Sequence, residues 1–157
     1  MRLSSLDKGM IHSPIRYLAA IGDHHVPRAP GAYVLIAAPG ATFTYPRRNS
    51  PVLYIGKASN LRRRLQEHAR FIDEATYERR KTMYWPMYEY GAAFGCRYAF
   101  LRTHGRQSAS HLESDLLAMF GERYRSWPVA NGAGGWDSLL SNASSARSDP
   151  RLQRTGS

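Results

Sequence analysis

Apolar residues in this chain come either as short bounded runs or as spaced stripes, and the two patterns predict different elements. Gly31-Ala-Tyr-Val-Leu-Ile-Ala is a continuous apolar run closed off by Pro30 and Pro39, as expected of a buried strand. Pro51-Val-Leu-Tyr-Ile-Gly is a second run of the same kind. Turn residues and the pair Arg47-Arg48 fill the stretch from Pro39 to Ser50, so the two strands are expected to form a hairpin with a long connection. Ser59 is suited to cap a helix in which Leu61, Leu65, Ala69 and Ile72 recur at helical spacing, giving one buried stripe that runs to Arg70 or beyond. Met83 to Arg102 is rich in Tyr, Phe and Trp but broken by Pro86, Gly91 and Gly95. That pattern favours strand with a bend or bulge, with Cys96 to Leu101 as its best part. Ser110 then opens a helix carrying Leu112, Leu116, Met119, Phe120 and Tyr124, which Trp127-Pro128 should end.

The two ends are patterned differently. A brief apolar group from Ile15 to Ile21 predicts a lead-in helix, followed by a loop through Pro27 and Pro30. Beyond Trp136-Asp137 the chain turns to Ser, Ala and Arg without periodicity. The expected organisation is a lead-in over residues 1–28, one domain over 29–140 and a disordered basic tail over 141–157.

Composition narrows the function. A chain of 157 residues, 43% hydrophobic, is enough for one packed domain. Lys and Arg outnumber Asp and Glu by 22 to 12, and the net charge of +10 makes nucleic acid the leading partner class. A solubilising surface or an acidic membrane leaflet are the other readings of that charge. The single cysteine, Cys96, excludes an internal disulfide framework and a Cys-based metal cluster. Beside Phe94, Tyr98 and Phe100 it reads as packing rather than as a nucleophile. Met1 to Asp7 lacks the apolar run of a signal peptide, and no stretch approaches the roughly eighteen apolar residues of a membrane span, so a cytoplasmic protein without a membrane partner is expected. His24-His25 lacks the spacing of a zinc site and reads as an exposed loop. With no phosphate-cradling Gly loop and no Ser elbow, no small-molecule cofactor is expected.

Two residues carry a chemical signal of their own. Three consecutive arginines on a helix point in three directions. Arg62 and Arg63 project away from the apolar stripe with Gln66 and Arg70, whereas Arg64 and His68, four apart, share its margin. Arg64 can therefore reach a cleft and grip a phosphate, although a solvated basic face has the same spacing. Glu113 falls among Leu112, Leu116 and Phe120, while Asp115 and Glu122 face the other way. A carboxylate there needs an Arg or a divalent cation, or else Ser110 and Glu113 form a capping box.

Gly31-Ala32-Tyr33 on one strand and Tyr54-Ile55-Gly56 on the next, followed by Lys57, Arg64 and His68 and later by Glu113 and Asn131, resemble the GIY-YIG nuclease core. The resemblance spans about residues 29 to 132 and implies an α+β fold with a small three-stranded antiparallel sheet flanked by helices. It also implies an endonuclease that hydrolyses DNA phosphodiesters. Tyr33, Tyr54, Lys57, Arg64, His68, Glu113 and Asn131 would be the catalytic set, with Glu113 holding one divalent metal, Mg²⁺ or Mn²⁺. Either tyrosine could activate the water. The twenty residues between Tyr33 and Tyr54 exceed the family spacing, so Arg47 and Arg48 on that extension, with Arg62 and Arg63, are expected to touch the nucleic-acid backbone. The competing expectation is a nucleic-acid-binding module that keeps the fold without cleavage.

Overall fold

The computed structural model describes residues 13–22, 25–78 and 85–131; the expected tail over 141–157 lies outside the described residues. Four antiparallel strands form one sheet in the order β1-β6-β2-β5: β1 (Arg16–Tyr17), β2 (Gly31–Ala37), β5 (Val52–Ala58) and β6 (Cys96–Arg102). Strands β3 (Phe43–Thr44) and β4 (Asn49–Ser50) pair as a separate ribbon within the β2–β5 connection. Among the described residues three α-helices accompany the strands: α1 (Leu61–Glu78), α2 (Trp85–Phe94) and α3 (Ala109–Tyr124). The apolar run at 31–37 is the central strand, and all seven of its residues are buried. Helices α1 and α2 pack on each other, with α1 meeting β2 and β5, while α3 packs on β5 and β2.

The sheet therefore has four strands where three were expected. The fourth is short: Arg16 and Tyr17 pair with Tyr98 and Arg97 along the outer edge of β6. The predicted lead-in helix is reduced to a 3₁₀ turn at Leu18–Ala20, because an apolar group this brief cannot nucleate an α-helix. Leu18 and Val26 enter the same core as β2.

Residues 85–94 are helix, not bent strand, and the breakers in the sequence are helix punctuation. Pro86 sits in the first turn, where a missing N–H costs nothing. Gly95, at φ 82°, ends the helix in the left-handed conformation and its N–H donates to Gly91 O at 2.9 Å. Gly91 faces α1 so closely that a Cβ there would lie 2.7 Å from Ile72 Cδ1. The aromatic content that suggested strand instead fills a helix interface and ring contacts such as Phe71–Tyr88.

Both predicted caps shift. Asn60 rather than Ser59 caps α1, its Oδ1 accepting from Arg63 N at 3.1 Å, while Ala29 O and Pro27 O accept from Leu61 N and Arg62 N. Ser108 caps α3 by accepting from His111 N, so the capping box between Ser110 and Glu113 does not form. That helix ends at Tyr124 through left-handed Arg125, before Trp127-Pro128.

Candidate active site

Tyr33 is the hub of the site. It rises from central β2 opposite Gly56 of β5, and the missing side chain at 56 makes its room: a Cβ there would lie 2.6 Å from both Tyr33 Oη and Tyr54 Cε1. Glycine is thus required for the two tyrosine rings to stand with centroids 6.0 Å apart. From α1, Arg64 Nε donates to the Tyr33 hydroxyl at 3.3 Å, and His68 Nε2 shares a hydrogen bond with it at 2.7 Å. His68 Nδ1 in turn lies 3.1 Å from the Tyr88 hydroxyl on α2. Arg64 Nη1 donates to Glu67 Oε2 at 3.1 Å. The guanidinium is therefore held at two corners.

Burial sets the protonation of this cluster. Tyr33 and His68 are each 1% exposed. Burial, reinforced by Tyr54, drives the Tyr33 phenol far above its ordinary value despite the hydrogen bond and charge of Arg64. Burial and then the Arg64 charge push His68 down to about 3, so its imidazole is neutral at pH 7. Burial alone would lower Arg64, but its bonds to Tyr33 and Glu67 outweigh that and hold it above its ordinary value. A neutral phenol and a neutral imidazole thus surround one fixed cation.

Lys57 and Glu113 form a second group. Side chains alternate along a strand, so Lys57 points to the opposite face from Gly56, where α3 brings Glu113. Lys57 Nζ lies 3.1 Å from Glu113 Oε2, with Glu113 20% exposed and Lys57 49% exposed. The side chain paired with the carboxylate is a lysine, where the sequence pointed to an arginine or a divalent cation. The two groups meet at the end of β5, where a cavity of about 550 Å³ is lined by Lys57, Arg63, Arg64, Glu67 and the α3 start at Ser108 and Ser110.

The remaining predicted residues are placed elsewhere. Asn131 is buried and clamps the backbone of Ile55: its Nδ2 donates to Ile55 O at 2.7 Å and its Oδ1 accepts from Ile55 N at 2.9 Å. It fixes the strand that carries Tyr54 and Lys57. Arg62 is half-buried, and its Nε donates to Val26 O at 2.8 Å, tying the preceding loop to α1. Arg47 and Arg48 are exposed on the β3–β4 turn, at the opposite end of the β2–β5 ladder from Lys57. Arg63 alone of the four expected backbone contacts lines the cavity. Sequence reasoning missed Glu67 and Tyr88. The i,i+3 spacing of Arg64 and Glu67 was a usable signal, whereas Tyr88 was hidden by the misread helix.

Comparison with protein-family models, with curated proteins and with solved structures returned no match. No described helix is long and apolar enough to cross a membrane. Among the described residues no three His, Cys, Asp or Glu gather as a metal cluster. Glu113 offers one carboxylate, paired with Lys57 at 3.1 Å, so a divalent cation held there would share or displace that ammonium and would take its other ligands from water and phosphate.

Proposed function

We propose that the protein is a metal-dependent endonuclease of the GIY-YIG kind that hydrolyses a phosphodiester bond of DNA. The observation that carries this reading is Arg64, a guanidinium fixed by Tyr33 and Glu67 at the wall of a cavity that Lys57 also lines. Pre-oriented donors beside a second cation suit a phosphate, and they act where charge grows in the transition state.

In this mechanism Arg64 and Lys57 bind the non-bridging oxygens and offset the charge that builds as water attacks phosphorus. Tyr54, half-buried where Tyr33 is fully buried, orients the attacking water. Tyr33 remains a neutral phenol and keeps Arg64 and Tyr54 in place, and His68 holds Tyr33. The bond from phosphorus to water oxygen forms as the bond to the leaving oxygen breaks, and the net proton passes from the water to that leaving group. Glu113 would hold the divalent cation, which when bound would offset the negative charge that develops on the leaving oxygen.

One observation favours a second reading. The Lys57 ammonium already neutralises Glu113, which is what a nucleic-acid-binding module without cleavage would need. End-labelled single-stranded, duplex and branched DNA incubated with Mg²⁺, Mn²⁺ or EDTA separates the two. Wild type should cut only with metal, Arg64→Ala and Glu113→Ala should lose cutting, and Glu113→Ala should keep its affinity. Tight binding without cutting on every substrate would overturn the nuclease reading in favour of the binding module.

A further inference from the structure

The nuclease reading leaves Tyr88 without a role, yet its hydroxyl closes a chain that begins at a fixed charge. Arg64 Nε can only donate, so the Tyr33 oxygen accepts at 3.3 Å. A phenol whose oxygen accepts from a cation becomes a stronger donor, and successive hydrogen bonds polarise in the same sense. The Tyr33 hydroxyl has one proton to give, to His68 Nε2 at 2.7 Å or to Tyr54, with which it also hydrogen-bonds; given to His68, it makes Nε2 the acceptor. A neutral imidazole with an accepting Nε2 must carry its proton on Nδ1, and Nδ1–H points at the Tyr88 oxygen 3.1 Å away. All four groups lie within one buried or half-buried cluster, so their order is not washed out by solvent.

We propose that Tyr88 is a positioning residue for the cutting reaction: by accepting from His68 Nδ1–H it selects the tautomer whose Nε2 anchors the Tyr33 hydroxyl, and with it Arg64. Tyr88 touches no reacting atom. It acts through two intermediaries, each named by a hydrogen bond. The neutrality of His68, set by burial and by Arg64, is what makes a tautomer choice exist at all. Tyr88 comes from α2, so that helix sets the state of a residue on α1 by one contact. The activity consequence rests on the nuclease reading, whereas the tautomer assignment stands without it.

The test is ¹⁵N NMR of the imidazoles in wild type and in Tyr88→Phe, with His68 assigned through His68→Gln, alongside kcat and KM on whichever DNA wild type cuts. Tyr98→Phe is the control. It removes another buried tyrosine hydroxyl, one without a hydrogen-bond partner among the described residues, from β6. The expected result is a protonated Nδ1 in wild type, a shift toward protonated Nε2 in Tyr88→Phe, and a kcat lower by about tenfold to a hundredfold with KM unchanged, the scale seen when the partner orienting an imidazole is lost. Tyr98→Phe should keep the wild-type tautomer and rate. A protonated Nε2 in wild type overturns the proposal, as does an unchanged tautomer in Tyr88→Phe or a switched tautomer with unchanged kcat. Should wild type cut no DNA, the nuclease reading falls, and the Nδ1 signal alone decides whether Tyr88 sets the tautomer.

Discussion

A side chain of zero size and one of low basicity define the site at the residue scale. Gly56 is needed because both tyrosines occupy the space a methyl would take. Gly56→Ala should keep the far-ultraviolet circular dichroism of wild type while DNA cutting falls by about a hundredfold, the cost of displacing groups by roughly 1 Å. His68 gives a pH signature. Its folded value, about 3, lies below the ordinary 6.5, so the unfolded chain binds the extra proton first. Stability from this group is full above about pH 6.5 and is lost as pH falls from there toward about 3, at no more than about 1.4 kcal/mol per pH unit. The groups facing the ring are Tyr33, Tyr54, Arg64 and Tyr88, of which only Arg64 is charged in that window. Urea titrations at pH 7.5, 6 and 5 should show the loss, and His68→Gln should flatten it. A wild-type profile as flat as that of the variant would mean that His68 protonates freely.

Helix starts show what pattern can and cannot reveal at the scale of elements. Ser108→Ala should cost about 1 kcal/mol and Ser110→Ala close to nothing in chemical denaturation, because only Ser108 accepts from a backbone amide at the start of α3. Reversed values would restore the capping box. The strands at 31–37 and 52–58 were legible from the apolar runs that begin at Gly31 and Val52, and the strand at 96–102 from the Tyr and Phe that follow Gly95. Helix α1 was legible from its stripe, and the wheel argument placed Arg64 and His68 at one margin, where both now meet Tyr33. Helix α2 was not legible. Its Pro and Gly mark a start and a stop, but the same residues mark strand breaks when aromatics lie between them. Lys57 with Glu113 was only half legible: the need for a partner follows from the helix wheel, whereas the identity of that partner depends on which strand end the helix crosses.

Charge organises the whole molecule. On the proposed reading, in which a net charge of +10 and a cavity lined by Lys57, Arg63 and Arg64 meet DNA, binding would release counterions. Affinity for a labelled oligonucleotide should therefore fall linearly in a plot of log K against log salt, with a slope near −0.9 for each phosphate contacted on duplex. A slope near zero would argue against any nucleic-acid partner. The Arg63→Ala slope should be shallower by about one contact, and the Arg62→Ala slope should match wild type, since Arg62 is committed to Val26.

The clamp on β5 reaches beyond the site. β5 ends the sheet on one side, and the 130–131 segment bonds its outward groups at Leu53 and Ile55: Ala130 N donates to Leu53 O at 3.0 Å, and Asn131 bonds Ile55 twice. Val-Leu-Tyr-Ile is apolar and uncharged, and a strand of that kind left open is a template for cross-β growth. Asn131→Gly should therefore raise light scattering and thioflavin T fluorescence on storage, with wild type clear under the same conditions. The residue that steadies the site would then also be the molecule's guard against fibrils.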